Sequence, residues 1–261
     1  MGVQYRSRPG ASTKRGRAGV GFTSPSQFVD PAGDQHLVVT LVAVAAGVFA
    51  GADAPWGVTG ISTAAHWESV YGAKQDSELS WFQDEPEASL ALIGEAAPEV
   101  AQIVDVGGGQ SSLAPALTAQ GHHVTVLDVS ANALDRARRR AGAAAPQISW
   151  IVGDVTRVEE LGSFDVWHDR AVFHFLHEAA AQARYAALLR ASLRPAGVAV
   201  IATFALDGPA RCSGLPVQRY DAAGIVAGLG GDWTIAHEEH RVHTTPWAAE
   251  QAFQYVVLRR G

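Results

Sequence analysis

Three consecutive glycines, Gly107 to Gly109, stand directly behind the short apolar run Gln102–Val106 and directly ahead of a helical pattern opening at Ser111. A glycine run costs too much backbone entropy to sit inside a helix or a strand, so the chain must turn there. An apolar strand that breaks into glycines and hands over to a helix is the first half of a βαβ unit. The rest of the chain keeps the same alternation. Short β-branched runs at 123–127, 148–152, 164–167 and 198–203 read as strands. Helical spacing marks 64–71, 87–95 behind Pro86, 111–119, 131–141 and 178–193, the last closed by Pro195-Ala-Gly197. Strands alternating with helices imply right-handed crossovers and a mainly parallel sheet covered on both faces. After a helix near 221–229 the pattern changes: 233–242 and 252–259 are both extended, with a Thr-Thr-Pro turn and a short helix expected between them. Two late strands without a crossover helix predict an antiparallel pair at the sheet's edge.

The strand ends carry the candidate ligand groups. Bare glycine backbone after a buried strand lets a ligand approach with no Cβ in the way. Asp128 closes the second strand, where an acid accepts hydrogen bonds from both hydroxyls of a ribose. Asp154 follows the third strand, where a carboxylate accepts from an exocyclic adenine amino group. Either acid alone is explained as a helix cap. Three successive strand ends with ligand-type residues point instead to a bound adenosine moiety.

These segments, Val104-Asp-Val-Gly-Gly-Gly-Gln110, Val126-Leu-Asp128, Gly153-Asp-Val155 and Phe164-Asp-Val-Trp-His-Asp169, resemble motifs I, post-I, II and IV of the class I S-adenosylmethionine-dependent methyltransferases. The resemblance covers residues 62–261. It implies a Rossmann-like α/β fold with a seven-stranded sheet, order 3-2-1-4-5-7-6, strand 7 antiparallel and helices on both faces. By matching position it implies S-adenosyl-L-methionine as cofactor. Asp105 and Gly107, Gly108 and Gly109 would line its methionine part, Asp128 with Val129 its ribose, and Asp154 with Val155 its adenine. Ser111 stands where many members carry another glycine, and a serine there still serves a helix start.

Methyl transfer from a sulfonium is an in-line displacement, so the protein must align the nucleophile and, for an oxygen or ammonium, remove its proton. The segment Trp167-His-Asp-Arg-Ala-Val-Phe-His-Phe-Leu-His177 leaves the fourth strand where the methyl group is expected. His168 and His174 are the candidate base or orienting groups, with Asp169 and Arg170 shaping the pocket. The ordinary alternative is that Asp169 caps the next helix, Arg170 pairs with an acid and the histidines pack. No histidine pair at helical spacing has a clear third ligand, so a metal is not expected. Asp-Arg-Ala-Val-Phe is similar to a stretch in thiopurine and thiol methyltransferases, and to another in a group of protein lysine methyltransferases. Trp81-Phe82-Gln83 resembles the aromatic lead-in of the same relatives, which closes over the cofactor. Cys212-Ser-Gly-Leu-Pro216 follows the fifth strand and is expected to wall the substrate pocket.

Charge and composition narrow the acceptor. A formal net charge of -6 and the lack of a basic patch give no pull toward nucleic acid or an anionic membrane. Cys212 is the sole cysteine, which excludes a disulfide framework and suits a cytoplasmic location. A small-molecule acceptor, with a thiol as one candidate, is the favoured expectation, ahead of a protein lysine. An NAD-dependent oxidoreductase would share the glycines and the ribose acid. Against it stand Asp154, the late strand pair and the lack of a substrate domain. A cofactor-binding protein without chemistry is the third reading.

Residues 1–61 read as an extension. Arg6, Arg8, Lys14, Arg15 and Arg17 precede the apolar run 37–50, which ends among small residues. That order mimics an export signal, but the basic lead is too long for one, and the run is short of the ~20 apolar residues of a membrane span. With Met1 the only methionine, a start at Val58 or another valine or leucine is a candidate. A poorly ordered or adventitious extension is therefore expected.

Overall fold

The computed structural model describes residues 63–75 and 78–261. The expected extension, 1–61, lies outside the described residues. Helices α1 (Thr63–Ala73) and α2 (Glu87–Ala96) lead into β1 (Gln102–Val106), α3 (Leu113–Ala119), β2 (His123–Asp128), α4 (Ala131–Ala141), β3 (Ile148–Val152) and β4 (Phe164–Arg170). Then follow α5 (Ala179–Ser192), β5 (Leu193–Phe204), a two-residue hairpin of β6 (Arg211–Cys212) and β7 (Leu215–Pro216), α6 (Ala222–Leu229), β8 (Trp233–Thr244) and β9 (Glu250–Arg260). The main sheet runs β3-β2-β1-β4-β5-β9-β8, parallel from β3 to β5, with β9 antiparallel to both its neighbours. With the hairpin strands set aside, this is the expected order and the expected antiparallel strand.

Alternation along the strands divides the core. Ile103, Val126 and Val166 face α2 and α3 through Leu92, Ile93, Leu113 and Leu117. Val104, Trp167 and Ile201 face α5 and α6 through Tyr185, Leu189, Ile225 and Leu229. Each such fully buried aliphatic contributes about 1.5–3 kcal/mol, so both helical layers are held to the sheet by transfer from water. Local signals set the helix ends. Ser130 caps α4 by accepting from the amide of Ala133, and three arginines, Arg138 to Arg140, occupy its last turn. Asp221 caps α6 through the amide of Gly224.

The register aligns the strand ends. Val106 lies beside Leu127 and Asp169, and Asp128 lies beside Val152, so the C-terminal ends of β1, β2, β3 and β4 share one rim.

Three local expectations are corrected. β4 continues through His168, Asp169 and Arg170 instead of releasing them, because β5 pairs with it as far as Arg170. Pro195-Ala-Gly197 does not close a helix. α5 ends at Ser192, and the tripeptide forms an irregular start to β5 where the register with β4 shifts. A Cβ on Gly197 would sit 3.0 Å from the carbonyl of Asp165, which explains the glycine there. The short helix expected between the last strands is a tight turn, closed by the Thr245 amide donating to the Ala249 carbonyl and the Ala249 amide donating to the Thr245 hydroxyl.

Candidate active site

The glycine turn leaves β1 with its amide of Gly107 donating to the carbonyl of Leu127, which stitches it to the end of β2. Gly107 and Gly109 have φ of 68° and 46°, in the left-handed region that favours glycine. Side chains there would also collide. A Cβ would stand 2.0 Å from Val172 Cγ2 at Gly107, 2.5 Å from Asp105 Oδ2 at Gly108 and 2.6 Å from the Tyr71 hydroxyl at Gly109. The backbone is bare because the space in front of it is shared among side chains of the rim.

Asp105, the β1 residue two before the turn, is buried at 2% exposure. Its Oδ1 accepts from His168 Nδ1 at 2.7 Å, and its Oδ2 has no partner. Asp128 is also buried. It accepts from the amide of Ser130 at 2.8 Å and from the amide of Gly109. Burial pushes its carboxyl up to about 7, against the lowering pull of those two amides. Donors supplied by a ligand would favour the ionised form. Asp154 is more open. Its Oδ1 accepts from the Thr156 amide and hydroxyl at 2.8 and 2.7 Å, and Arg157 lies 3.5 Å from Oδ2.

A cleft of about 110 Å³ opens over this rim. Asp128, Val129, Asp154 and Val155 line one end, and Trp67, Trp81, Arg170, Phe175, Leu176 and Cys212 the other. Gly107 lines its floor, and a second recess beneath Trp81 reaches Asp105, Gly108 and His168. Of the sequence-predicted cofactor residues, Trp81, Gly107, Asp128, Val129, Asp154 and Val155 line the cleft, and Asp105 and Gly108 line the second recess. Gly109 stands behind Tyr71, touching the cleft through it.

The reacting end departs from expectation. His168 has both ring nitrogens engaged, Nδ1 with Asp105 and Nε2 with Ser89 Oγ at 2.9 Å, and lies in the recess beneath Trp81. Asp169 faces the opposite side of the sheet. It accepts from the amides of Val172 and Phe173 and, at 2.6 Å, from the Tyr185 hydroxyl. Its carboxyl is raised to about 6 by burial, which outweighs those bonds. His174 is fully buried and lowered to about 3, first by burial and then by the charge of Arg170. Its Nδ1 accepts from the Phe204 amide, so the proton of the neutral ring sits on Nε2 and no lone pair is left. None of the three expected catalytic residues, His168, Asp169 and His174, offers a free base to the cleft. The cause is strand position. His168 and Asp169 alternate between the two packed faces of β4, and His174, in the turn after it, is held by the Phe204 amide of β5.

Arg170, at the last position of β4, does reach the cleft. Its Nε donates to the Tyr255 hydroxyl, its Nη1 to the Trp81 carbonyl, and its guanidinium lies 4.5 Å over the Phe253 ring. Its buried Nη2 has no partner. Cys212 walls the same end, and burial pushes its thiol up to about 12, so it is a neutral lining group. Sequence reasoning missed Trp67 and Tyr71 of α1 and Phe175. Trp67 packs edge-on to Trp81 and Phe175 with centroids 5.7 and 5.2 Å apart. The i, i+4 pair Trp67/Tyr71 was the available signal, but such a pair is equally a packed helix face.

The open strand ends, the bare turn and the three carboxylates belong to an α/β protein whose sheet edge carries an antiparallel strand. They fit an adenosyl cofactor with an amino-acid tail: a backbone turn without side chains, a buried carboxylate at the end of β2 and an Asp105 oxygen without a partner among the described residues. Comparison with known proteins agrees. The methyltransferase domain family matches residues 103–197. Nodulation protein S of Rhizobium tropici is 29% identical over 116 residues, 44% of this chain and 48% of that protein, so the match spans about half the curated relative's length. Among solved structures, an S-adenosylmethionine-dependent methyltransferase from Anabaena variabilis superposes with a TM-score of 0.60 at 17% identity, over 77% of this chain and 96% of that one. The N-methyltransferase NodS from Bradyrhizobium japonicum, in complex with S-adenosyl-L-homocysteine, gives 0.58 at 16% identity, over 76% and 99%. The family match thus spans β1 to the start of β5, and the solved structures share the fold of this chain.

Proposed function

We propose that this protein transfers the methyl group of S-adenosylmethionine to a small molecule whose nucleophile is acidic, a thiol fitting best. The observation that carries this reading is the division of the cleft: carboxylates line only its Asp128–Asp154 end, and an aromatic box with one incompletely paired guanidinium lines the other. In this reading Asp128 accepts from the ribose hydroxyls, Asp154 and Val155 hold the adenine, Asp105 and the glycine turn receive the methionine part, and Trp81 covers it. The cofactor, when bound, supplies an electrophilic methyl on a sulfonium.

The residues of the chain then do three things. Trp67, Trp81 and Phe175 exclude water and orient the acceptor, and alignment of this kind accounts for much of the rate gain in a displacement. Arg170 Nη2 donates to the nucleophile or to an anionic group beside it, which favours the deprotonated form. Among the described residues, no carboxylate or imidazole lines the aromatic end to take a proton, so an acceptor that ionises readily near neutral pH is preferred over a protonated amine. No described helix is long and apolar enough to cross a membrane.

Methyl transfer from labelled cofactor to a panel of thiols, phenols, carboxylic acids, amines and lysate proteins tests the reading. Labelled thiols or other acidic small molecules support it, and Arg170→Met should raise their KM. Two fold relatives bear N-methyltransferase names. Label confined to amines, or to lysine side chains of proteins, would replace it.

A further inference from the structure

His168 has the residue type of a general base but not the freedom of one. A carboxylate only accepts, so the 2.7 Å contact to Asp105 Oδ1 is a donation from Nδ1. The other nitrogen, Nε2, is 2.9 Å from the hydroxyl of Ser89 on α2. That bond forms with Nε2 accepting in the neutral ring or donating in the charged one, so neither state leaves a nitrogen for an acceptor's proton. All three groups are nearly closed to solvent, at 1%, 2% and 3% exposure for Ser89, Asp105 and His168. The ring is clamped between a helix and a strand, and it fixes the carboxylate's rotation.

That rotation has a consequence for the second oxygen. Asp105 Oδ2 is buried and has no partner among the described residues, an arrangement a folded protein seldom keeps without a use for the acceptor. It lies against the glycine turn, 2.5 Å from where a Cβ of Gly108 would stand, and Asp105 lines a recess that shares Trp81, Gly107 and Arg170 with the cleft. Resting on the function proposed above, we propose that His168 is a positioning residue: with Ser89 it holds Asp105 so that Oδ2 is presented to the ammonium of the cofactor's amino-acid tail.

The inference concerns one end of the ligand only, which makes it separable from fold and from nucleoside recognition. S-Adenosyl-L-homocysteine carries the tail, and 5′-methylthioadenosine has the nucleoside and sulfur without it. Calorimetric titration of wild type, His168→Phe, His168→Asn and Ser89→Ala with both compounds is the test. His168→Phe keeps the ring's shape and removes both hydrogen bonds. It should weaken the homocysteine compound by about tenfold to a hundredfold, the range for a hydrogen bond to a charged group, and leave methylthioadenosine within about twofold. His168→Asn retains a donor near the Nδ1 position and should recover most of the loss, and Ser89→Ala should fall between.

Equal weakening of both compounds in His168→Phe and His168→Asn would make His168 a merely structural residue and overturn the proposal. So would unchanged affinity for both in all variants. If wild type binds neither compound, the cofactor reading itself has failed, and that outcome is distinct from either of these.

Discussion

The two ends of the cleft are built by different means. At the nucleoside end, every group comes from the residues that terminate β1, β2 and β3, within a few positions of a strand that the sheet holds in register. At the aromatic end, α1, the segment at Trp81, the turn after β4 and the β6–β7 hairpin each send one or two side chains from far apart in the chain. The first end is a property of backbone topology, and the second is a property of tertiary packing. Stiffness differs accordingly. The rim is tied by backbone hydrogen bonds such as Gly107 to Leu127 and Gly153 to Asp128. The aromatic box is held by edge-on ring contacts, each worth about 0.5–1.5 kcal/mol beyond its burial.

Substitutions at the rim should therefore cost cofactor binding and stability together, and those at the aromatic end should act on the acceptor. Gly107→Ala is the harshest break. It combines a left-handed φ with a 2.0 Å collision against Val172, so denaturant unfolding should show a loss of about 2–5 kcal/mol, and calorimetry should show S-adenosylhomocysteine binding abolished.

Asp128→Asn comes next and sharpens the contrast through pH. The folded-state carboxyl titrates at about 7, raised from its ordinary 3.8. Ligand hydroxyls donate to the ionised form, so wild-type affinity should climb as pH rises through about 7 and level off above it, with a proton released on binding in that window. The sign for the free protein is opposite: this group's contribution to stability is fully present below 3.8 and is lost as pH rises through about 7. Asp128→Asn should bind about tenfold to a hundredfold more weakly at pH 8 and lose the pH dependence, as read by calorimetry in two buffers of different ionisation heat.

Asp154→Ala should weaken binding only about twofold to tenfold, because its carboxylate is partly exposed and already engaged by Thr156 and Arg157. The mildest effect belongs to Ala171, at the lip of the aromatic end with φ of 75°. Relief of that left-handed alanine in Ala171→Gly should raise thermal stability by about 0.5–1 kcal/mol, net of glycine's entropy, with cofactor affinity unchanged.

The same contrast explains what could be read from residues alone. Strand and helix runs follow hydrophobic period, and glycines and acids at strand ends follow from βαβ geometry. The mainly parallel sheet, the antiparallel edge, the glycine turn and the acids Asp128 and Asp154 were open to that reasoning, whereas the strand order and the place of Asp105 came from the family resemblance. His168, Asp169 and His174 were not, because a residue's role there depends on where β4 stops. The sequence pattern ends that strand at Trp167, whereas pairing with β5 carries it to Arg170. Extending it turned His168 toward Ser89 and Asp169 toward Tyr185, and their polar atoms were spent in the core. Trp67 and Phe175 gave no local sign of meeting, since only tertiary packing joins them.

Every role assigned to the rim depends on its recognising an adenosyl group with a homocysteine-type tail. Titration of the full chain with S-adenosylhomocysteine and, separately, with NADH tests this without reference to any acceptor. The expected result is saturable binding of the former at one per chain, raising stability by about 2.7 kcal/mol at a hundredfold excess over Kd, with no response to NADH. Saturable binding of NADH with none of S-adenosylhomocysteine would contradict the account.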